Sequence, residues 1–125
     1  MKHLLILISI LLLSSPVIGQ ETGVLYQYKT SSGIKWKTFW NEKVQPKYKG
    51  EITNGKPNGF GFQTYKNGNK YLGEHKNGLP NGQGRSIYPD GSMYLGGYKD
   101  GKPWNVKGYD KERNIIEKWV NGVKQ

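Results

Sequence analysis

Glu51 and Glu74 recur one period apart in similar surroundings, and paired carboxylates are the groups on which glycoside hydrolysis runs. On neighbouring β-hairpins they would stand roughly 10 Å apart on one side of a sheet, near the separation used by some inverting enzymes. The third occurrence of the position is Gly97, and a flat exposed sheet offers no pocket to raise a carboxylate's pKa. The residues favour a structural reading, in which the two charges pair with lysines such as Lys49 and Lys76. His75 occupies the slot of Ile52 and Tyr98 and reads as a flat ring packed on a tyrosine face, with no partners for general-base work. Ser31, Ser86 and Ser92 lack the histidine–acid partnership that activates a hydroxyl. The recurring "GKP" lacks the Ser/Thr and the following helix of a phosphate loop. The chain is therefore expected not to be an enzyme, to hold no cofactor and to take no small-molecule substrate.

Metal and disulfide chemistry are equally poorly supplied. There is no cysteine, and the two histidines are His3 and the isolated His75. What the chain does have is positive charge, formally +10 over 125 residues. Such a surface attracts anionic partners. Lysines also keep exposed sheets soluble and guard their edges.

The elements that would carry these residues are strands. "NGK", "KNGN" and "PDGS" punctuate stretches in which aromatic and polar residues alternate, the pattern of half-buried β-structure. Asn-Gly and Asp-Gly in "KNGN" and "PDGS" favour type I′ hairpin turns, and "NGKPN" reads as a Gly/Pro turn.

The alternation is itself repeated, with a period of about 23 residues. Tyr48, Tyr71 and Tyr94 coincide, as do Gly50, Gly73 and Gly96, then Gly55, Gly78 and Gly101, then Pro57, Pro80 and Pro103. Asn58 matches Asn81, Gly59 matches Gly82, and Gly61 matches Gly84. In the third block Trp104, Asn105 and Lys107 stand at the aligned Asn, Gly and Gly positions. The organisation expected is a leader at 1–19, an N-terminal capping hairpin at 20–47, and an array at 48–122 made of 48–70, 71–93 and a degenerate 94–122.

Glycine inside a strand costs entropy and packs nothing, unless a neighbouring aromatic ring lies over the bare backbone. Tyrosine and glycine at fixed offsets let that arrangement recur. The fold class expected is all-β: an elongated, twisted single antiparallel sheet of successive hairpins with little central core, preceded by a signal-peptide helix. Arrays need covered ends. Trp36 and Trp40 before the regular blocks, with Trp104 and Trp119 after them, read as end caps. A carbohydrate or membrane-interface role is the other reading of these rings.

"MKHLLILISILLLSSPVIGQ" has the basic start, apolar run and small residues of a secretory signal, with cleavage expected near Gly19-Gln20. An uncleaved anchor is the alternative. Export would place the product in a periplasm or outside the cell, away from nucleic acid.

"YKGEITNGKPNGFG" and "YLGEHKNGLPNGQG", followed by the "YPDGSMYLGG" junction, resemble the MORN (membrane occupation and recognition nexus) repeat. The likeness covers residues 48 to about 103 closely and to about 122 loosely. It implies a non-catalytic module: a scaffold, a dimerisation surface or a lipid-associated element.

Two binding expectations follow. A protein partner, or a second copy, would meet the tyrosine face (Tyr48, Tyr65, Tyr71, Tyr88, Tyr94) or a free strand edge. Alternatively, anionic lipid or acidic polysaccharide would meet the basic surface, with Lys47, Lys49, Lys70 and Lys76 foremost and Lys35, Lys37, Lys43, Lys56 and Lys66 around them. A purely structural envelope protein is the third reading.

Overall fold

The computed structural model describes residues 20–38 and 46–125. The leader, Trp40 and Lys43 lie outside these residues. Ten strands form one antiparallel sheet: β1 (Gln20–Thr30), β2 (Gly33–Lys37), β3 (Lys47–Thr53), β4 (Lys56–Thr64), β5 (Lys70–Lys76), β6 (Leu79–Ile87), β7 (Met93–Lys99), β8 (Lys102–Tyr109), β9 (Ile115–Val120) and β10 (Val123–Lys124). Their order is β10-β9-β8-β7-β6-β5-β4-β3-β1-β2.

From β3 to β10 each strand pairs with its successor, as a chain of hairpins should. The N-terminal edge departs from that plan, because β1 rather than β2 lies against β3. The reason is the length of β1. Its second half, from Tyr26 to Thr30, closes the hairpin with β2, while its first half, from Gln20 to Tyr26, adds to β3.

The turn chemistry is distributed differently from the sequence expectation. Both central residues have positive φ at Asn54-Gly55, Asn77-Gly78, Asp100-Gly101 and Asn121-Gly122, so these are the I′-like turns. In "KNGN" and "PDGS" only Gly68 and Gly91 have positive φ. There Gly68 N–H donates to the Tyr65 carbonyl (3.0 Å) and Tyr65 N–H to the Asn69 carbonyl (2.8 Å), with the same pair of bonds at Tyr88–Ser92. Asn67 Oδ1 accepts from Asn69 N–H (3.0 Å) and Asp90 Oδ1 from Ser92 N–H (2.9 Å). These side-chain bonds accompany a turn in which Asn67 and Asp90 keep negative φ and the left-handed conformation falls to glycine.

Successive I′ turns are joined. Gly78 N–H donates to the Pro57 carbonyl, Gly101 N–H to Pro80 and Gly122 N–H to Trp104, each at 2.8 Å. Beside each of these bonds an asparagine side chain receives the preceding turn amide: Asn77 N–H to Asn58 Oδ1 (3.3 Å), Asp100 N–H to Asn81 Oδ1 (3.1 Å) and Asn121 N–H to Asn105 Oδ1 (3.0 Å). Asn105 thus corresponds to Asn58 and Asn81, one position away from where an ungapped alignment puts it.

The sheet is curled as well as twisted. Trp36 on edge strand β2 reaches the β5–β6 turn, its Nε1 standing 2.8 Å from where a Cβ on Gly78 would lie. In a flat sheet β2 and β5 would be separated by four strand spacings, roughly 19 Å. Curling gives one face an interior that composition alone did not suggest. Leu25, Tyr48 and Ile52 form one buried cluster with Trp36 against it. Tyr71, Tyr98 and Val106 form the second, flanked by Tyr65, Tyr94 and Trp119.

A tyrosine-walled cleft as candidate functional site

The inner face is built by rings lying over glycines. A Cβ added at Gly61 would clash with the Tyr48 side chain, and one at Gly84 with that of Tyr71, the phenol oxygen being the nearest atom in both cases. Each tyrosine sits diagonally across the ladder from its glycine, since Tyr48 pairs with Gln63 and Gly50 with Gly61. The ring's reach is fixed at its far end, where the Tyr48 hydroxyl donates to the Glu51 carbonyl (2.7 Å) and the Tyr71 hydroxyl to the Glu74 carbonyl (2.9 Å). In the third unit Val106 faces Gly96, so the diagonal place is filled. Tyr94 lies instead over Gly108, its direct ladder partner.

Glu51 and Glu74 each accept a backbone amide from the neighbouring strand. Phe60 N–H donates to Glu51 Oε2 (2.9 Å), and Gln83 N–H donates to Glu74 Oε2 (2.5 Å). Both carboxylates serve bulges, where the ladder slips between Gly50 and Ile52 and between Gly73 and His75. Gly59 and Gly82, at φ 98° and 100°, admit them; a Cβ there would collide with the carboxylate. Where Gly97 replaces glutamate, the slip between Gly97 and Tyr98 leaves out only Trp104 of β8, and Asn105 faces Gly97.

Five rings run edge to face along the inner surface. Trp36 meets Tyr48 (6.3 Å between centroids), Tyr48 meets His75 (4.8 Å), His75 meets Tyr71 (5.0 Å) and Tyr71 meets Tyr98 (5.1 Å). His75 lies within 3.1 Å of the Gly73 carbonyl through Nδ1, and its buried Nε2 has no partner among the described residues. Burial pushes its pKa down to about 4, with backbone carbonyls opposing the shift. It is a neutral aromatic spacer at neutral pH. Ser86 Oγ lies 2.8 Å from the Tyr98 hydroxyl, which donates to the Tyr94 carbonyl (2.9 Å), and Ser92 Oγ donates to Asp90 (2.6 Å). Ser31 is exposed in the β1–β2 turn. Among the described residues no group of His, Asp and Glu could hold a metal.

This packing divides the tyrosines of the expected docking face. Tyr48 and Tyr71 are 0 % and 1 % exposed, so their rings cannot meet a partner. Burial raises both phenol pKa values, to about 12 for Tyr48 and further for Tyr71. Tyr65, Tyr88 and Tyr94 remain half-buried. Tyr94 packs edge to face on Tyr88 (5.2 Å) and is hydrogen-bonded to Glu117, which with burial lifts its phenol to about 12.

A cleft of about 270 Å³ draws its lining from all three units. It is lined by Tyr65, Tyr71, Tyr88 and Tyr98, by Pro80 and Pro103, and by Asn67, Asn69 and Lys70. The Tyr71 and Tyr98 hydroxyls are already engaged; those of Tyr65 and Tyr88 have no hydrogen-bond partner among the described residues. Burial, reinforced by the neighbouring hydroxyls of Tyr88 and Tyr98, pushes Tyr65 up to about 12. Both free hydroxyls are therefore neutral donors at any physiological pH.

The outer face carries the charge. One cross-strand row runs Lys49, Phe62, Leu72, Arg85, Leu95, Lys107, Lys118. Lys47 and Lys70 flank Thr64 in the adjacent row. Lys76 is apart from them, opposite Leu79 at the far end of β5. Phe60 is 55 % exposed and Leu72 37 %, so this basic face is also apolar. Arg85, Lys107 and Lys118 escaped the sequence reading because their membership depends on ladder register rather than on the repeat.

The tryptophans divide. Trp36 and Trp119 pack on the two buried clusters. Trp104 is 36 % exposed and covers Gly122, with Lys99 Nζ 4.5 Å from its ring centroid, so it covers a turn and not the core.

The strand–turn–strand unit with tyrosine over glycine and glutamate on the bulge occurs twice, and the family model described as MORN repeat matches residues 48–70 and 71–93. These residues are two MORN repeats. The third unit continues their sheet and turn bonding from residue 94 without matching that pattern. No curated protein matched the chain. MORN repeats are known as protein- and lipid-interaction modules, which fits a non-catalytic binding role.

Proposed function

We propose that the protein is a non-catalytic docking module, exported after loss of its leader near Gln20, whose tyrosine-walled cleft receives a segment of a protein partner. The observation that carries this reading is the pair of unengaged hydroxyls, Tyr65 and Tyr88, in a concave aromatic site. At about 270 Å³ the cleft is smaller than pockets that enclose drug-sized ligands, roughly 300–1,000 Å³. That size suits a chain laid across it. The test is recovery of partners from an envelope extract by the wild-type protein and by Tyr88→Glu, which puts a charge into the cleft. A protein captured by the first and lost by the second supports the reading; identical profiles overturn it. The intact mass of the secreted product should start at Gln20, and an uncut chain in the membrane fraction would refute export.

A second reading rests on the outer face. Lys47, Lys49, Lys70, Arg85, Lys107 and Lys118 interleaved with Phe62, Leu72 and Leu95 suit an anionic lipid surface, the cations meeting head groups and the apolar side chains the interface. Flotation with anionic vesicles should be strong at low salt and fall steeply towards physiological salt. No flotation at low salt removes this reading.

A further inference from the structure

The chemistry of the cleft narrows the kind of segment it would take, and this step rests on the docking reading above. The polar side chains lining the cleft include the hydroxyls of Tyr65, Tyr88 and Ser86, the amides of Asn67 and Asn69, and the Lys70 ammonium, and the unengaged Tyr65 and Tyr88 hydroxyls and the ammonium have protons to give to a ligand's carbonyls. Tyr71 and Tyr98 contribute ring surface, their protons being already given to the Glu74 and Tyr94 carbonyls. No carboxylate lines the site, and Lys70 is its one charge.

An extended strand laid here would bring free backbone N–H groups against aromatic rings, and each one left unpaired would cost on the order of 1–3 kcal/mol. A proline-rich segment brings none. Its residues lack N–H groups, its carbonyls are unused because the polyproline II helix has no internal hydrogen bonds, and its rings present flat apolar faces. The ordering cost of such a segment is already low, which is why aromatic-lined grooves recognise it elsewhere. We infer that the Tyr65–Tyr88 cleft binds a proline-rich segment of a partner protein in the polyproline II conformation, with an acidic residue next to the prolines facing Lys70.

The experiment follows the ring resonances of Tyr65 and Tyr88 in the full-length protein during titration. Three probes are used: a short proline-rich peptide ending in glutamates, the same peptide with alanine for each proline, and an acidic oligosaccharide. The expected result is saturable shifts with the proline-rich peptide and at least about tenfold weaker binding of the alanine peptide. Tyr65→Phe, which keeps the ring, should weaken binding about threefold to tenfold through the lost hydrogen bond. Tyr88→Ala should weaken it at least tenfold, with unchanged amide dispersion showing that the sheet persists. If the alanine peptide binds as well as the proline-rich one, the polyproline inference falls while the docking reading stands. If only the oligosaccharide shifts the rings, or nothing does, both fall.

Discussion

At the residue scale the fold turns on a ring needing a bare backbone to lie on. Gly84→Ala places a methyl against the Tyr71 ring, and the ring cannot withdraw without giving up the hydroxyl bond to Glu74. The expected loss is about 2–3 kcal/mol, read as a lower denaturation midpoint. In a double-mutant cycle Tyr71→Ala should remove most of that penalty; additive losses would mean the ring and the glycine are uncoupled. His75 gives a second prediction. Its pKa is about 4 when folded and about 6.5 when not, so unfolding takes up a proton between those values. The stabilisation is complete above about pH 6.5 and is lost as pH falls towards 4, on the order of 3 kcal/mol. His75→Ile, copying the residue at the Ile52 position, should flatten stability against pH over that window; an unchanged slope would assign the acid sensitivity elsewhere.

At the scale of elements, neighbouring hairpins are joined along the ladder and again through their turns. The Asn58, Asn81 and Asn105 side chains each take an amide of the next turn. Asn81→Ala leaves the Asp100 N–H without that acceptor and should cost about 1 kcal/mol, with faster hydrogen exchange at Asp100 and Gly101 before other amides. Protection unchanged at those two amides would show the asparagine bond to be dispensable. Asn58 and Asn81 were visible as a repeat, but what they do was not, because a turn-to-turn bond depends on how hairpins stack. Asn105 was hidden by the shortened bulge. The same limit applies to "KNGN", where Asn-Gly alone pointed to a type I′ turn and the Asn67 side-chain bond to Asn69 decided otherwise.

At the scale of the whole molecule, curling makes a one-layer sheet hold an interior. Trp36 closes the N-terminal end of the ring row by reaching from β2 to Gly78. Trp36→Ala should destabilise the protein by about 3–4 kcal/mol and raise exchange at the β5–β6 turn, far along the sheet from the substitution. An effect confined to β1 and β2 would show that the curl is held by the repeats alone. Curling also decides which surfaces are free: it covers Tyr48 and Tyr71 and turns the basic row outward.

The sequence by itself determined the strands, their hairpin order from β3 onward, the repeat and the pairing of tyrosine with glycine. All of these follow from side-chain spacing within a short stretch of chain. Tertiary structure decided which tyrosines line the cleft and which are buried, that two glutamates bind backbone amides, and that basic residues from five strands align with phenylalanine and leucine. Those outcomes depend on bulge register and sheet curvature, which set distances between residues far apart in the chain and leave no mark in local spacing.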